Sequence, residues 1–226
     1  MLCAGAAAVG VALAGCSGAD TPADGSDDDA ATDAGPAAGT ERTGTTTDSA
    51  SGPTPETPMP STILNGDVEQ RGSLSLASPD FAAGGRLPDS AGYGNANENP
   101  ALEVEDVPSD TESLVLVVDD PDARPVAGHT WTHWLVWDVP PGIGTIPRGW
   151  SPSDATEGFN DFLAFGYGGP APPEGSHRYR FKLLALDSTL GAPRPTRKTR
   201  LGSLVASRAE VLGATQLAGT YAADQG

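Results

Sequence analysis

GYGGPAPPEGSHRYRFKLLALD, residues Gly166 to Asp187, is a glycine- and proline-dense loop that runs without a break into an apolar strand. Loops that empty directly into a core strand are where rigid scaffolds carry their sites. Upstream, Ser113 to Val118 (SLVLVV) is a continuous apolar run and predicts a fully buried strand ending in Asp119-Asp120-Pro121-Asp122. Trp131 to Val139 predicts another strand, and strict alternation would set Trp131, His133, Leu135 and Trp137 on one face. Ser73 to Leu76 alternates as a half-buried strand does, and Ala101 to Val104 reads as a further one. Short strands between Gly/Pro turns indicate an all-β sandwich or barrel. Helix is expected only near the C-terminus, with Thr199 as N-cap, Leu201, Leu204, Val205 and Leu212 at helical spacing, and Gly213 as the stop. A last short strand then spans Gln216 to Ala222.

The chain has 226 residues and a formal net charge of −17, with 30 acidic and 13 basic side chains. So acidic a surface excludes nucleic acid as a partner, because phosphate backbones are met by clustered Lys and Arg. It suits a protein kept soluble in high salt, where charge repulsion is screened within a few ångströms, and points to a halophilic source. The only lysines are Lys182 and Lys198. Both cysteines, Cys3 and Cys16, precede the folded part, which therefore has neither a disulfide nor a thiolate metal site.

Three segments follow from composition: residues 1–16, 17–60 and 61–226. Leu2 to Gly15 is small and apolar, too short for a comfortable membrane span, and ends in Leu13-Ala14-Gly15-Cys16. That ending resembles a lipobox, which implies a cleaved signal, lipidation of Cys16, and an extracytoplasmic protein attached to the cell membrane through its lipid alone. Residues 17–60 are Ala, Gly, Thr, Ser, Pro and Asp with almost no large apolar side chain, a composition that predicts a disordered stalk. Order is expected to begin near Ile63.

The series Asp120-Pro-Asp-Ala123, His133-Trp134, Asn160-Asp-Phe162, GYGGPAPPEGSHRY from Gly166 and Ala185-Leu-Asp187 resembles the phosphatidylethanolamine-binding protein family, in its prokaryotic Raf-kinase-inhibitor-like branch. The resemblance covers about Ser73 to Tyr221. It implies a mainly β architecture: an antiparallel β-sandwich with short C-terminal helices. It also implies a pocket at one end for a small anion such as phosphate, a phosphoryl head group or acetate. By the same resemblance the pocket residues are Asp120, His133, Gly169, Pro170, Pro172, His177 and Tyr179, with Trp131 as a further wall. The chain departs from the family pattern at Arg124, Thr132, Ala171, Glu210 and in the loop Ser90 to Gly94.

The residue chemistry suits such a pocket. Imidazole and phenol donate hydrogen bonds to oxyanions, glycine lets backbone approach closely, and proline holds a loop in shape. Asp120 could orient a histidine or meet an ethanolamine ammonium, and both readings stay open; Asp122 beside a proline reads as a turn residue. A binding module is the leading reading. A protease inhibitor or other protein-interaction module is the second, with a protein partner in place of the anion. The third is a hydrolase using Asp120, His133 and His177 as acid–base groups. The same three could bind a metal. GxSxG, HxH and HExxH are absent, so neither a metal nor any other cofactor is expected.

Overall fold

A computed structural model describes residues 64–223. The segments 1–16 and 17–60, with Cys16 among them, lie outside the described residues, as does Ile63. Among the described residues the strands are β1 Ser75–Ala77, β2 Leu102–Glu105, β3 Ser113–Asp120, β4 Trp131–Val139, β5 Thr145–Ile146, β6 Thr156–Glu157, β7 Ser176–Leu186 and β8 Val211–Ala222. The α-helices described along their whole length are α1 Arg124–Ala127 and α2 Lys198–Arg208. Two sheets form, in the orders β1-β2-β5 and β6-β4-β3-β7-β8, with every pairing between these strands antiparallel.

Pleating decides what each side of the large sheet buries. Leu114, Leu116 and Val118 of β3 and Phe181, Leu183 and Ala185 of β7 pack with Leu74, Leu76, Leu102 and Ile146 into the core between the sheets. The intervening Val115, Val117, Leu184 and Leu186 face away, against Leu201, Leu204 and Val205 of α2. The molecule is thus a small sheet, a large sheet and a helix in layers, each covering an apolar face.

Three expectations change. Strand β4 does not alternate strictly: Val118 pairs with Trp134 but Asp119 with Thr132, so His133 is an extra residue, a β-bulge. Trp134 and Val136 consequently join the inter-sheet core, while Leu135 and Trp137 pack on the α2 side, away from Trp131 and His133. The helix begins at Lys198 with Arg197 as N-cap and ends at Arg208, short of Leu212. Residues from Val211 onward form a 12-residue strand, because β7 offers partners along its full length, from Ser176↔Ala222 to Leu186↔Val211. Gly213 is there for close approach: a Cβ would meet Leu74 Cβ and Pro108 Cγ at 3.2 Å. One short helix, α1, was not anticipated; Pro125 lies in its first turn, where a missing N–H costs nothing.

Candidate functional site

Antiparallel pairing brings the C-terminal end of β3 and the N-terminal ends of β4 and β7 to the same edge of the sheet. There a cleft of about 280 Å³ opens, with Asp120, Trp131, His133, Phe162, His177 and Tyr179 in its wall and small apolar residues of α1 and the 166–175 loop at its rim. Five of the eight residues expected from sequence therefore meet.

Asp120 is buried and accepts three hydrogen bonds. Oδ1 takes the backbone N–H groups of Asp122 (2.8 Å) and Ala123 (3.1 Å), and Oδ2 takes Nδ1 of His177 (2.7 Å). The turn is therefore built by Asp120, whereas Asp122 accepts the N–H of Arg178 (2.8 Å) and ties the loop to β7. The carboxylate thus orients His177 through Oδ2, which accepts only that one bond.

His133 is buried, and its Nδ1 lies 2.6 Å from the carbonyl oxygen of Gly168. A carbonyl only accepts, so the proton sits on Nδ1 and Nε2 is left as the ring's second polar atom. Burial holds its pKa below the ordinary histidine value of 6.5, against the pull of that carbonyl and of Asp120. The resting ring is neutral at pH 7.

Two donors in the wall have no partner. The indole Nε1 of Trp131 and the phenol oxygen of Tyr179 are both buried, and neither makes a hydrogen bond. The Ala171 backbone approaches the phenol without giving its O–H an acceptor. Burial, followed by the negative charge of Asp120, drives the Tyr179 pKa well above the usual phenol range, so it stays a donor. An orphaned buried polar group costs about 1–3 kcal/mol, and here two share one cleft.

Gly169, Pro170 and Pro172 do not line the cleft; Ala171 and Pro173 do. The first two hold the loop instead. Gly169 N–H donates to Asn97 Oδ1 (2.7 Å), a Cβ there would collide with Ala91 O, and Pro170 O accepts from Tyr93 N–H (2.8 Å). Sequence reasoning missed Phe162, which stands edge-on to Trp131 (5.4 Å) and His133 (5.6 Å) and stacks on Tyr93 (4.2 Å). Asn160 places it, with Oδ1 accepting from the N–H groups of Phe162 (3.0 Å) and Ala164 (3.1 Å) and Nδ2 donating to Gly166 O (3.0 Å). An Asn followed two residues later by an aromatic before a glycine-rich loop was the signal available. Glu210 lies between α2 and β8, where its N–H donates to Asp187 Oδ1 (2.7 Å), and does not line the cleft. Among the described residues no cluster of three or more His, Cys, Asp or Glu could hold a metal ion.

Comparison with known proteins gives one consistent result. The family model described as phosphatidylethanolamine-binding protein matches residues 77–222. A UPF0098 protein of Methanothermobacter thermautotrophicus is 35% identical over 153 residues, which are 66% of this chain and 98% of that one. Among solved structures, a phosphatidylethanolamine-binding protein homologue from Chlamydia trachomatis superposes with a TM-score of 0.63 at 30% identity, covering 68% of this chain and 99% of that one. YbcL of E. coli, described as a member of the mammalian family, gives 0.61 at 26% identity, covering 67% and 99%.

Proposed function

We propose a function from one premise: this chain belongs to the phosphatidylethanolamine-binding protein family. The protein is a binding module whose Trp131 cleft takes up a small anion, either a free phosphate-type ion or the phosphoryl head group of a larger molecule. The observation that carries this is the pair of buried, unpartnered donors, Trp131 Nε1 and Tyr179 Oη, in a wall that also contains two histidines. An oxyanion supplies the acceptors they lack. His133 then takes up a proton, because a neighbouring negative charge reverses the penalty that burial places on its charged form. His177 is held by Asp120 with Nδ1 occupied, so Nε2 is its atom for the ligand. Apolar walls from Phe162, Val126 and Pro173 leave room for a carbon substituent on that anion. The LAGC sequence supports placing this module outside the membrane, tethered through Cys16.

Isothermal titration of the protein with phosphate, phosphoethanolamine and acetate tests the reading. Saturable binding that His177→Ala weakens supports it; no heat with any of the three overturns it. The Asp120–His177 hydrogen bond favours a second reading, general acid–base hydrolysis with His177 Nε2 as the base. Phosphoester or ester turnover abolished by His177→Ala would establish that instead.

A further inference from the structure

Behind the large sheet, on the α2 side, a separate opening of about 620 Å³ is lined by Arg124, His129, Asp161, Arg197 and Lys198, among others. It borders the most basic stretch of an acidic chain: between Asp187 and Glu210 lie Arg194, Arg197, Lys198, Arg200 and Arg208 and no acidic residue.

The floor carries surplus positive charge. Lys198 is 8% exposed, and its Nζ lies 3.3 Å from Thr130 O and 3.4 Å from Asp119 Oδ2. That carboxylate is already engaged by Arg180 (2.8 and 3.1 Å) and by Lys182 (2.8 Å). Asp67 assists Arg180 alone among these three (3.2 Å). Three buried cations thus share Asp119, and the one with the longest contact is the one that lines the opening. Burial lowers the Lys198 pKa even with Asp119 beside it, the sign of an under-compensated cation.

The remaining walls add to this. Arg124 spends Nε on Thr130 Oγ1 (2.8 Å), which leaves its terminal amino groups for the opening. Arg197 is exposed and lies over the Phe159 ring at 4.5 Å. The acid present, Asp161, accepts from Thr132 N–H (2.7 Å) and contacts His129 Nε2 (3.2 Å) through Oδ2, while its Oδ1 lies 4.0 Å from Arg197, so a single carboxylate is divided among these groups and Lys198. The N-cap Arg197 makes no side-chain capping bond and no acid sits in the first turn of α2, so its leading N–H groups contribute a further positive potential.

We propose that this opening is a second anion-binding site, on the opposite face of the sheet from the Trp131 cleft, and that it takes a compact, multiply charged oxyanion of the pyrophosphate type. Arg124, Arg197 and Lys198 line it, and the carboxylates near two of them, Asp161 for Arg197 and Asp119 for Lys198, are shared with other partners, so a multiply charged anion suits the remaining positive charge.

The test is calorimetric titration of the full chain with inorganic pyrophosphate at low ionic strength. Wild type binds saturably; Arg124→Gln and Arg197→Gln each weaken binding about 10- to 100-fold and Lys198→Gln at least as much, since a charge-assisted hydrogen bond carries about 1.5–3 kcal/mol. His177→Ala, in the other cleft, retains a pyrophosphate site of unchanged affinity. Lys198→Gln removes a partner of a buried carboxylate, so the two exposed arginines decide the matter if that variant fails to fold. Three results overturn the proposal: no saturable binding, affinity unchanged in both arginine variants, or loss of all pyrophosphate binding in His177→Ala. Failure of the Trp131 cleft to bind phosphate leaves this outcome untouched, because the two sites share no lining residue.

Discussion

Asp119 and Asp120 are adjacent in sequence, both buried, and serve opposite faces of one sheet. Asp119 sits on the α2 side among Arg180, Lys182 and Lys198, and its environment is built from opposite charges. Asp120 sits on the other side with His177, beside Trp131 and Tyr179, whose donors are unmet. The pleat alone separates them: Arg180 and Lys182 share one parity of β7, His177 and Tyr179 the other. One carboxylate stabilises the layer of charge beneath the helix, and the other prepares a site. A polar residue in a strand is therefore interpretable only together with the parity of its neighbours.

The contrast is broken most severely by Asp119→Ala, which leaves buried cations uncompensated and should cost about 3–5 kcal/mol in denaturant unfolding. Asp120→Asn should cost under about 1.5 kcal/mol, one ordinary hydrogen bond, since the amide oxygen still accepts the turn N–H groups. Equal losses in the two variants would mean that the faces are not differently built.

The second effect is a pH dependence. Burial lowers Lys182 from 10.5 to about 8 in the folded protein, against Asp119. Between those values the unfolded chain binds more protons, so stability rises with pH, by something on the order of 3 kcal/mol if Lys182 acts alone. Above pH 10 the buried phenols of Tyr167 and Tyr179, which resist ionisation, reverse the sign. Unfolding free energies from pH 7.5 to 10 should climb in wild type and climb less in Lys182→Met; a flat wild-type profile would contradict the assignment.

On the Asp120 face the same replacement, Asp120→Asn, should weaken phosphate binding about tenfold, because the amide nitrogen cannot accept the His177 proton and the ring loses its orientation. Binding should also take up protons at pH 7 through His133, visible as a dependence of the observed heat on the buffer's ionisation enthalpy. The smallest effect is expected from Leu163, exposed and at φ +62° beside Phe162. Leu163→Gly relieves that backbone strain and should stabilise the fold by about 1 kcal/mol, with phosphate affinity unchanged.

Much of this was legible beforehand. Buried strands read as apolar runs, so β3 and β4 begin where the sequence places them. The motif order pointed to Asp120, Trp131, His133, His177 and Tyr179, which gather at the cleft, but also to Gly169, Pro170 and Pro172, which do not line it, and it passed over Phe162. Other features were hidden because they depend on partners distant in sequence. Leu212 fits a helical spacing and becomes strand only because β7 is long enough to pair with it. The bulge at His133 exists only relative to β3. Asp119 looked no different from Asp120, although Arg180 and Lys182, alternating within an apolar strand, signalled that something acidic lay opposite them.

The convergence on Asp119 has a practical side for handling the protein. The only two ε-amines in the chain are both inside the fold, Lys182 wholly and Lys198 behind its opening. Amine-directed labels, surface-coupling chemistries and cross-linkers will therefore find almost nothing to attack besides the N-terminal amine. Acylation becomes instead a clock for unfolding, with Lys198 expected to react first.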